Sequence, residues 1–200
     1  MSGRFIVLEG IDGSGKGTQL ELLREALEAR GHKVWLTREP SESPIGRMIR
    51  QGLTGGERFD EATMALLFAA DRLVHIDEVR VHLDQGDIVL CDRYILSSLA
   101  YNSQSLSLEW ILSLNKEADK RLHPDLTLLF DLSSQEAMHR IDLRGEQTER
   151  YETQSQLYQV GEMYRMLADV RLDDNVTRID AARTPDEVHQ GVMKVVANIL

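Results

Sequence analysis

The segment GIDGSGKGTQ, residues 10–19, lies directly after the apolar run FIVL at residues 5–8 and directly before a helical pattern. Its glycines and lysine match the pattern G-x-x-x-x-G-K, in which backbone N–H groups surround phosphate oxygens and the lysine adds a mobile positive charge. The order of strand, glycine-rich loop and helix is the context that makes this pattern specific. The sequence therefore predicts a nucleotide-binding loop, called the phosphate loop below, formed by Gly10, Ile11, Asp12, Gly13, Ser14, Gly15, Lys16, Gly17 and Thr18.

The position after the lysine departs from the commonest form of this loop. That form has Ser or Thr there, whose hydroxyl holds a magnesium ion, whereas here the residue is Gly17 and the hydroxyl of Thr18 follows one residue later. The sequence GKGTQ resembles adenylate kinases and their relatives, in which nucleotide oxygens and water hold most of the magnesium coordination. Gly17 therefore favours a nucleoside monophosphate kinase over a GTPase. Asp12 is unusual for adenylate kinases, and a sugar hydroxyl of the acceptor is a suitable partner for its carboxylate.

Five short apolar runs predict the strands of the fold. They occupy residues 5–8, 34–37, 88–91, 126–132 and 176–179, and they lack the strict alternation of a half-exposed sheet. Helical patterns lie between them, so we expect an α/β fold with a doubly wound, five-stranded parallel sheet and helices on both faces. Ligands of such sheets bind at the carboxyl ends of the strands. We expect one kinase-type domain over residues 1–200.

Capping residues predict where several helices begin. A helix over residues 18–30 would end at Gly31, and a long helix after Asp60 would place Leu66, Ala70, Leu73 and Leu83 on its apolar side. Ser43, before Pro44, is predicted to begin a helix that runs to residue 50, and Ser107 one that covers residues 108–122. Thr153 is predicted to begin a helix that carries Leu157, Val160, Tyr164 and Leu167. Two capping boxes, Ser133 with Glu136 and Thr184 with Glu187, mark two further helix starts.

Composition restricts the class of partner. The formal net charge of −10 argues against a nucleic-acid polymer as the main partner. The single cysteine, Cys91, ends an apolar run, which favours a buried thiol in a reducing compartment. The N-terminus has no long apolar stretch behind a basic leader, and no run approaches the roughly 18 apolar residues of a membrane span. We therefore expect a cytoplasmic protein without a signal peptide or membrane segment.

Six motifs occur in a fixed order along the chain. They are FIVLEGIDGSGKGTQ at residues 5–19, TREP at 37–40, LLFAADR at 66–72, CDRYILSSLAY at 91–101, HPDLTLLFDL at 123–132 and ERYE at 149–152. In this order they resemble the thymidylate kinases, over nearly the whole chain. One such motif can occur by chance, whereas the ordered set is highly specific.

The resemblance implies roles for the matching residues. Phe68 would stack on thymine and Arg72 would donate hydrogen bonds to its carbonyl edge, and their spacing of four places them on one helix face. Without the resemblance, core packing of Phe68 and a surface charge at Arg72 are the simpler interpretations. The other implied acceptor-binding residues are Asp12, Arg38, Arg50, Arg93, Ser98, Tyr101 and Asn102, while Lys16 and Arg93 would act on the phosphates and Asp92 would hold magnesium through water.

A mobile lid is expected at about residues 139–152. Some thymidylate kinases carry a catalytic arginine in the phosphate loop, where this chain has Gly13, and others carry basic residues in the lid. This chain resembles the second group, which implies catalytic roles for Arg140, Arg144 and Arg150. The alternative interpretation is a solvated, salt-bridged helix end.

The resemblance implies transfer of a phosphoryl group from Mg²⁺-bound ATP to dTMP by a homodimer. Two departures bear on specificity, since the family commonly has Gln at Asn102 and often Asp at Leu96. A kinase for another monophosphate such as dUMP or UMP is therefore one alternative, and a nucleotide-binding regulator without a small acceptor is another. The adenine contacts are assigned only to a candidate loop at residues 181–184.

Overall fold

The computed structural model describes residues 3–144, 153–170 and 175–200, with the side chain of Arg144 excepted. Strands and helices alternate along these residues. The elements, in chain order, are β1 (Arg4–Glu9), α1 (Lys16–Glu28), β2 (Val34–Arg38), α2 (Pro44–Leu53), α3 (Glu61–Asp84), β3 (Ile88–Asp92), α4 (Ile95–Asn102), α5 (Leu108–Arg121), β4 (Leu126–Asp131), α6 (Ser134–Arg144), α7 (Gln154–Val170), β5 (Val176–Asp180) and α8 (Pro185–Val196).

The strands form one parallel sheet in the order β2-β3-β1-β4-β5. This confirms the predicted α/β class and all five predicted strands, whose ends differ from the prediction by one residue. β1 is central, and Leu8 near its end lies beside Asp92 of β3 and Leu128 of β4. Because the strands are parallel, the segments that follow β1, β2 and β3 meet at one edge of the sheet. These segments are the phosphate loop, the connection to α2 and the start of α4.

Burial on both faces explains why the strand sequences are continuously apolar. The side chains of Ile6, Leu8, Leu90 and Leu128 are fully buried within one core cluster. Cys91 is equally buried, as expected, and removal from water raises the pKa of its thiol well above the ordinary value. In the described part of the chain, no helix combines the length and apolar character needed to cross a membrane.

Most of the predicted caps are present. Ser43 Oγ accepts a hydrogen bond from the Gly46 amide at 3.0 Å, and Asp60 accepts one from the Thr63 amide at 2.7 Å. Thr184 and Glu187 form the complete capping box that the sequence predicts. The Glu136 amide donates to Ser133 Oγ, which is one half of the other box. Ser107 precedes α5 without a capping hydrogen bond from its side chain.

Two predicted features of the helices are wrong. α1 begins at Lys16 instead of residue 18, because the chain turns into the helix directly after Gly15. Leu66 was expected on the apolar side of α3 but is 50% exposed. The inward face of α3 is instead set by Met64, Ile76 and Val79 together with buried polar side chains, which the apolar pattern alone does not reveal.

Candidate active site

The phosphate loop owes its shape to three glycines with positive φ. These are Gly10, Gly13 and Gly15, at φ values of 146°, 79° and 89°. Gly15 precedes α1 and has no side chain with which to cap it, so the first N–H groups of the helix are left for another acceptor. A helix N-terminus with free N–H groups attracts an anion, which is the arrangement that the sequence predicts for a phosphate.

Gly17 differs from the other glycines of the loop. It lies inside α1, and a Cβ atom added to it would meet nothing within 4 Å. Neither backbone conformation nor crowding therefore requires glycine at this position. By contrast, a Cβ on Gly13 would lie 2.5 Å from the carbonyl oxygen of Ala137 in α6, so the loop packs directly on that helix.

Lys16 is buried and folds back over the loop. Its Nζ donates hydrogen bonds to the carbonyl oxygens of Gly10 at 3.0 Å and Ile11 at 3.1 Å. Burial, followed by the nearby positive charge of Arg93, holds the pKa of Lys16 below its ordinary value. A bound phosphate would stabilise the charged form of Lys16, because its negative charge would offset the cost of burying the ammonium group.

Arg93 follows β3 in a conformation that non-glycine residues rarely adopt. Its φ of 73° is left-handed, and such strain is concentrated at functional sites. Its Nη2 donates to Asp12 at 2.5 Å and to the Tyr101 hydroxyl at 3.2 Å. Burial opposes the charge of Arg93, but Asp12, Tyr101, Tyr164 and Asp92 together outweigh it and raise the pKa of Arg93 well above its ordinary value. Arg93 is therefore a permanent cation beside the phosphate loop.

A cavity of about 260 Å³ opens beside this arginine. All nine residues that the sequence assigns to the acceptor line it, although they come from four separate segments of the chain. The lining residues are Asp12, Arg38, Glu39, Pro40, Arg50, Leu53, Phe68, Arg72, Asp92, Arg93, Ser97, Ser98, Tyr101 and Asn102. The structure thus brings the predicted residues together, while the role of each one stays a prediction.

Arg72 is not a surface charge, since it is only 1% exposed. Its Nε and Nη2 both donate to one carboxylate oxygen of Glu39, at 2.8 and 2.5 Å. Nη2 also donates to Ser98 Oγ at 3.0 Å, and Nη1 donates to the side chain of Asn115. This arrangement holds the planar guanidinium in one orientation at the cavity wall, as directional recognition of a ligand edge requires.

The other two arginines of the cavity converge on one carboxylate. Arg38 and Arg50 donate to the two oxygens of Glu42, each at 2.9 Å, and Arg50 also donates to the Pro40 carbonyl at 2.8 Å. The hydrogen bond from Arg38 and the charge of Arg50 lower the pKa of Glu42. The two arginines therefore already hold one oxyanion at the cavity rim.

Asp92 has the chemistry of a ligand for a hard cation. It ends β3 and lines the cavity, and its Oδ1 is buried without a hydrogen-bond partner among the described residues. A buried carboxylate oxygen costs free energy unless it is paired. Oxygen ligands are those that magnesium prefers, so Asp92 fits the predicted role of contacting a magnesium ion through water.

The predicted lid is described only at its beginning. Arg140 lies in α6 and forms an ion pair with Glu136 at 3.0 Å. A Cβ on Gly15 would lie 3.9 Å from Arg140 Nη1, so this guanidinium reaches the phosphate loop. The side chain of Arg144 and the whole of Arg150 lie outside the described residues, as do residues 145–152 of the lid.

Comparison with known proteins identifies the family of the chain. The family model for thymidylate kinase matches residues 8–192. The chain belongs to the thymidylate kinase family. A probable thymidylate kinase of Pyrococcus abyssi is 39% identical over 207 residues, covering 100% of this chain and 98% of that protein. One of Methanosphaera stadtmanae is 39% identical over 201 residues, covering 98% of each. The thymidylate kinase of Exiguobacterium sibiricum is 44% identical over 150 residues, covering 72% of this chain and 71% of that protein.

Several polar residues of this family site were not found from the sequence. Glu39 lies within the TREP motif and Ser97 within CDRYILSSLAY, so both had a motif as a signal. Glu9 stands beside the phosphate loop but ends an apolar run. Asn115 and Tyr164 lie in helices far along the chain, and Tyr164 was expected only on the apolar face of α7. No local pattern distinguishes these two from ordinary helix residues.

Proposed function

We propose that the protein phosphorylates dTMP, transferring the γ-phosphoryl group of Mg²⁺-bound ATP to give dTDP and ADP. The observation that carries this proposal is the cavity of about 260 Å³ beside Arg93. It contains every predicted acceptor residue, and Asp12 and Arg93 connect it to the phosphate loop. Membership of the thymidylate kinase family supports the choice of dTMP as the acceptor.

The cavity wall offers complementary groups to the parts of dTMP. Phe68 supplies an aromatic face for the thymine ring, and the fixed guanidinium of Arg72 faces its carbonyl edge. Asp12 accepts a hydrogen bond from the sugar hydroxyl. Arg38 and Arg50 release the carboxylate of Glu42 and bind the acceptor phosphate instead. A phosphate dianion attracts the two guanidinium groups more strongly than one carboxylate does. Ser98, Tyr101 and Asn102 complete the pocket.

Transfer then proceeds by direct in-line attack. An oxygen of the acceptor phosphate forms a bond to the γ-phosphorus while the bond to the β,γ-bridging oxygen breaks, and ADP leaves. Lys16, Arg93 and the lid arginines Arg140, Arg144 and Arg150 stabilise the charge that develops on these oxygens. Asp92 would hold a magnesium ion through water, and the ion, when bound, would supply positive charge that neutralises the phosphates.

Two further parts of the proposal concern the whole chain. Residues 1–200 act as one kinase domain, and residues 139–152 close over the nucleotide and exclude water. The protein acts in the cytoplasm, in keeping with the buried thiol of Cys91.

The protein acts as a homodimer that pairs through α3. Leu66, Val74 and Val81 are exposed on one face of this helix, opposite the face that packs on the core. These three positions lie within about a quarter of the helix circumference. Asp77 lies on the same face, and the exposed apolar side chains around it are suited to a second copy of the same surface. Val74→Lys is expected to shift the protein toward monomer in sedimentation velocity, whereas Val170→Lys on α7 leaves the sedimentation coefficient unchanged.

The test is ADP production from ATP and Mg²⁺ with dTMP, dUMP, UMP, CMP, AMP or GMP as acceptor. A kcat/KM for dTMP at least tenfold above that of the other acceptors is expected. A higher value for dUMP or UMP would favour the second candidate, a kinase of another pyrimidine monophosphate. That candidate is supported by Asn102, a shorter amide than the family's usual Gln. The absence of acceptor-dependent ADP with all six would refute both.

A further inference from the structure

A buried group of polar side chains lies behind Arg93, on the side away from Asp12. Arg93 Nη1 donates hydrogen bonds to Ser97 Oγ at 3.1 Å and to the Tyr164 hydroxyl at 3.3 Å. Both hydroxyls in turn contact Glu9 Oε2, at 2.6 Å from Ser97 and 2.9 Å from Tyr164. The two hydroxyl oxygens lie 2.8 Å apart. The guanidinium and the carboxylate are therefore joined through two hydroxyl groups.

The chemistry of these groups sets the direction of the hydrogen bonds. A guanidinium can only donate, and an ionised carboxylate can only accept. The hydroxyls of Ser97 and Tyr164 therefore accept from Arg93 and donate toward Glu9. The other carboxylate oxygen, Glu9 Oε1, accepts from the backbone amides of Tyr94 at 2.8 Å and Ser97 at 3.1 Å. Both oxygens of Glu9 are thus satisfied by the protein.

Packing of α7 against the core does not by itself require these buried polar side chains. Glu9 is 0% exposed, and a fold that needed only a filled space there would be more stable with an apolar residue. The phenol ring of Tyr164 packs within the apolar core, yet its hydroxyl reaches three polar partners. Phenylalanine would fill the same volume without them. The Tyr164 hydroxyl is therefore explained by its contacts with Glu9, Arg93 and Ser97, and not by packing in the core.

We infer that Tyr164 is a positioning residue for Arg93, acting with Ser97 and Glu9, so that α7 contributes to phosphoryl transfer without touching the substrate. The inference rests on the proposed function. The contacts of Arg93 divide into two sets. Asp12 and Tyr101 accept from Nη2, while Ser97, Tyr164 and the backbone carbonyl of Gly10, at 3.2 Å, accept from Nη1. Substrate phosphates can replace the partners of Nη2, while the partners of Nη1 hold the guanidinium plane throughout the reaction.

A positioning role predicts loss of rate without loss of binding. Tyr164→Phe should lower kcat for dTMP about tenfold, as expected when a hydrogen bond to a charged group is lost. The KM values for dTMP and ATP should stay within about twofold. Tyr158→Phe is the matched control, because it makes the same change on the same helix at a side chain that is 58% exposed. It should leave kcat unchanged.

A second comparison separates positioning from general destabilisation. In the background of Arg93→Lys, Tyr164→Phe should have no further effect on kcat, because the group that it positions is gone. Ser97→Ala, which favours the helix in which it lies, should lower kcat in the same way and should also have no further effect in that background. Equal tenfold losses in both backgrounds, or a loss expressed only in KM, would overturn the inference.

A spectroscopic measurement tests the contact even if dTMP is not the acceptor. In protein labelled with ¹⁵N-arginine, the Nη resonances of Arg93 are identified by their absence in Arg93→Lys. Tyr164→Phe should accelerate rotation and solvent exchange of these protons, and Tyr158→Phe should not. Unchanged Nη exchange in Tyr164→Phe would refute the positioning role. A normal spectroscopic response in a protein that does not phosphorylate dTMP would refute the proposed function alone.

Discussion

Asp12 and Arg93 form an ion pair across the mouth of the phosphate loop, with 2.5 Å between Asp12 Oδ1 and Arg93 Nη2. The other carboxylate oxygen, Oδ2, accepts from the Tyr101 hydroxyl at 3.0 Å. Burial would raise the pKa of Asp12, but the charges of Arg93 and Lys16 outweigh it and lower that pKa below its ordinary value. Asp12 is therefore ionised at neutral pH and can accept from a sugar hydroxyl.

Asp12→Asn tests this contact. Wild type should prefer dTMP to its 3′-deoxy analogue, and the variant should lose about tenfold of that preference, because a neutral amide accepts a hydrogen bond more weakly than a carboxylate. The measurement is the ratio of kcat/KM for the two acceptors. Because the ratio cancels any general loss of activity, an unchanged ratio would show that Asp12 does not contact the sugar.

Phe68→Ala should raise the KM for dTMP about tenfold or more, because stacking of a base on an aromatic ring contributes about 1–3 kcal/mol. The KM for ATP should change by less than about twofold. Leu112→Ala on α5 is a control for the loss of an apolar side chain at a partly exposed helix position outside the cavity. Equal effects on both nucleotides would indicate that Phe68 supports the fold and not the base.

Gly17→Ala should fold and should stabilise the protein by up to about 1 kcal/mol, because alanine favours a helix and its Cβ has free space. Gly13→Ala should destabilise the protein by about 2 kcal/mol or more. Its φ of 79° disfavours a side chain, and the Cβ would meet the Ala137 carbonyl. Urea unfolding of the two variants gives the comparison. Similar stabilities would contradict the different roles assigned to the two glycines.

Removal of divalent cations should abolish transfer to dTMP, and Mg²⁺ should restore it. Asp92→Asn should raise the Mg²⁺ concentration needed for half-maximal rate by about tenfold, because the amide is neutral and holds magnesium-bound water less firmly. Titration of activity with Mg²⁺ at saturating ATP measures this. Glu109→Gln on α5 removes one exposed carboxylate outside the cavity and should leave the titration unchanged. If the control raised the Mg²⁺ concentration for half-maximal rate by the same factor, the effect of Asp92→Asn would not indicate that Asp92 contacts the magnesium ion.

Asp87 should give the stability a dependence on acid pH. Its buried carboxylate accepts hydrogen bonds from Lys33 at 2.9 Å and His82 at 2.8 Å. Burial opposes ionisation, but these two contacts prevail and lower the pKa of Asp87. The stabilisation is therefore fully present above the unfolded-state pKa of about 3.9 and is lost as pH falls through the lower folded-state value.

Asp87→Asn should accordingly cost about 1 kcal/mol at neutral pH. The difference between the free energies of unfolding of wild type and variant should shrink below about pH 4. Urea unfolding at a series of pH values measures it. If the difference in free energy of unfolding grew as the pH fell, ionised Asp87 would not be the stabilising form, and its assigned role would be wrong.

The fold was predictable from local signals. Each strand is a continuous apolar run, and Ser43, Asp60 and Thr184 mark helix starts by capping chemistry that depends only on near neighbours. The acceptor residues were named from motifs, and the structure places them around one cavity. Their individual roles stay predictions.

Contacts between distant segments were not predictable in the same way. Glu9 and Tyr164 are 155 residues apart in the chain and meet only because α7 packs against α4 and against β4, the neighbour of β1. The exposure of Leu66 was missed because the inward face of α3 includes the charged residues Asp71 and Arg72. A hydropathy pattern assigns such residues to the surface, whereas Glu39 and Ser41 satisfy them in the interior.

The central place of β1 in the sheet also sets when a growing chain can assemble its reaction centre. β1 is the first strand to be synthesised, but its neighbours end only at Asp92 and Asp131. At roughly 5–20 residues per second, the ribosome takes on the order of ten seconds to travel from Glu9 to Asp131. Until Asp92 has been added the apolar strand has no native partner, and until Asp131 it has only one of its two neighbours, so it is open to wrong pairing. The loop it carries becomes a nucleotide site only late in translation.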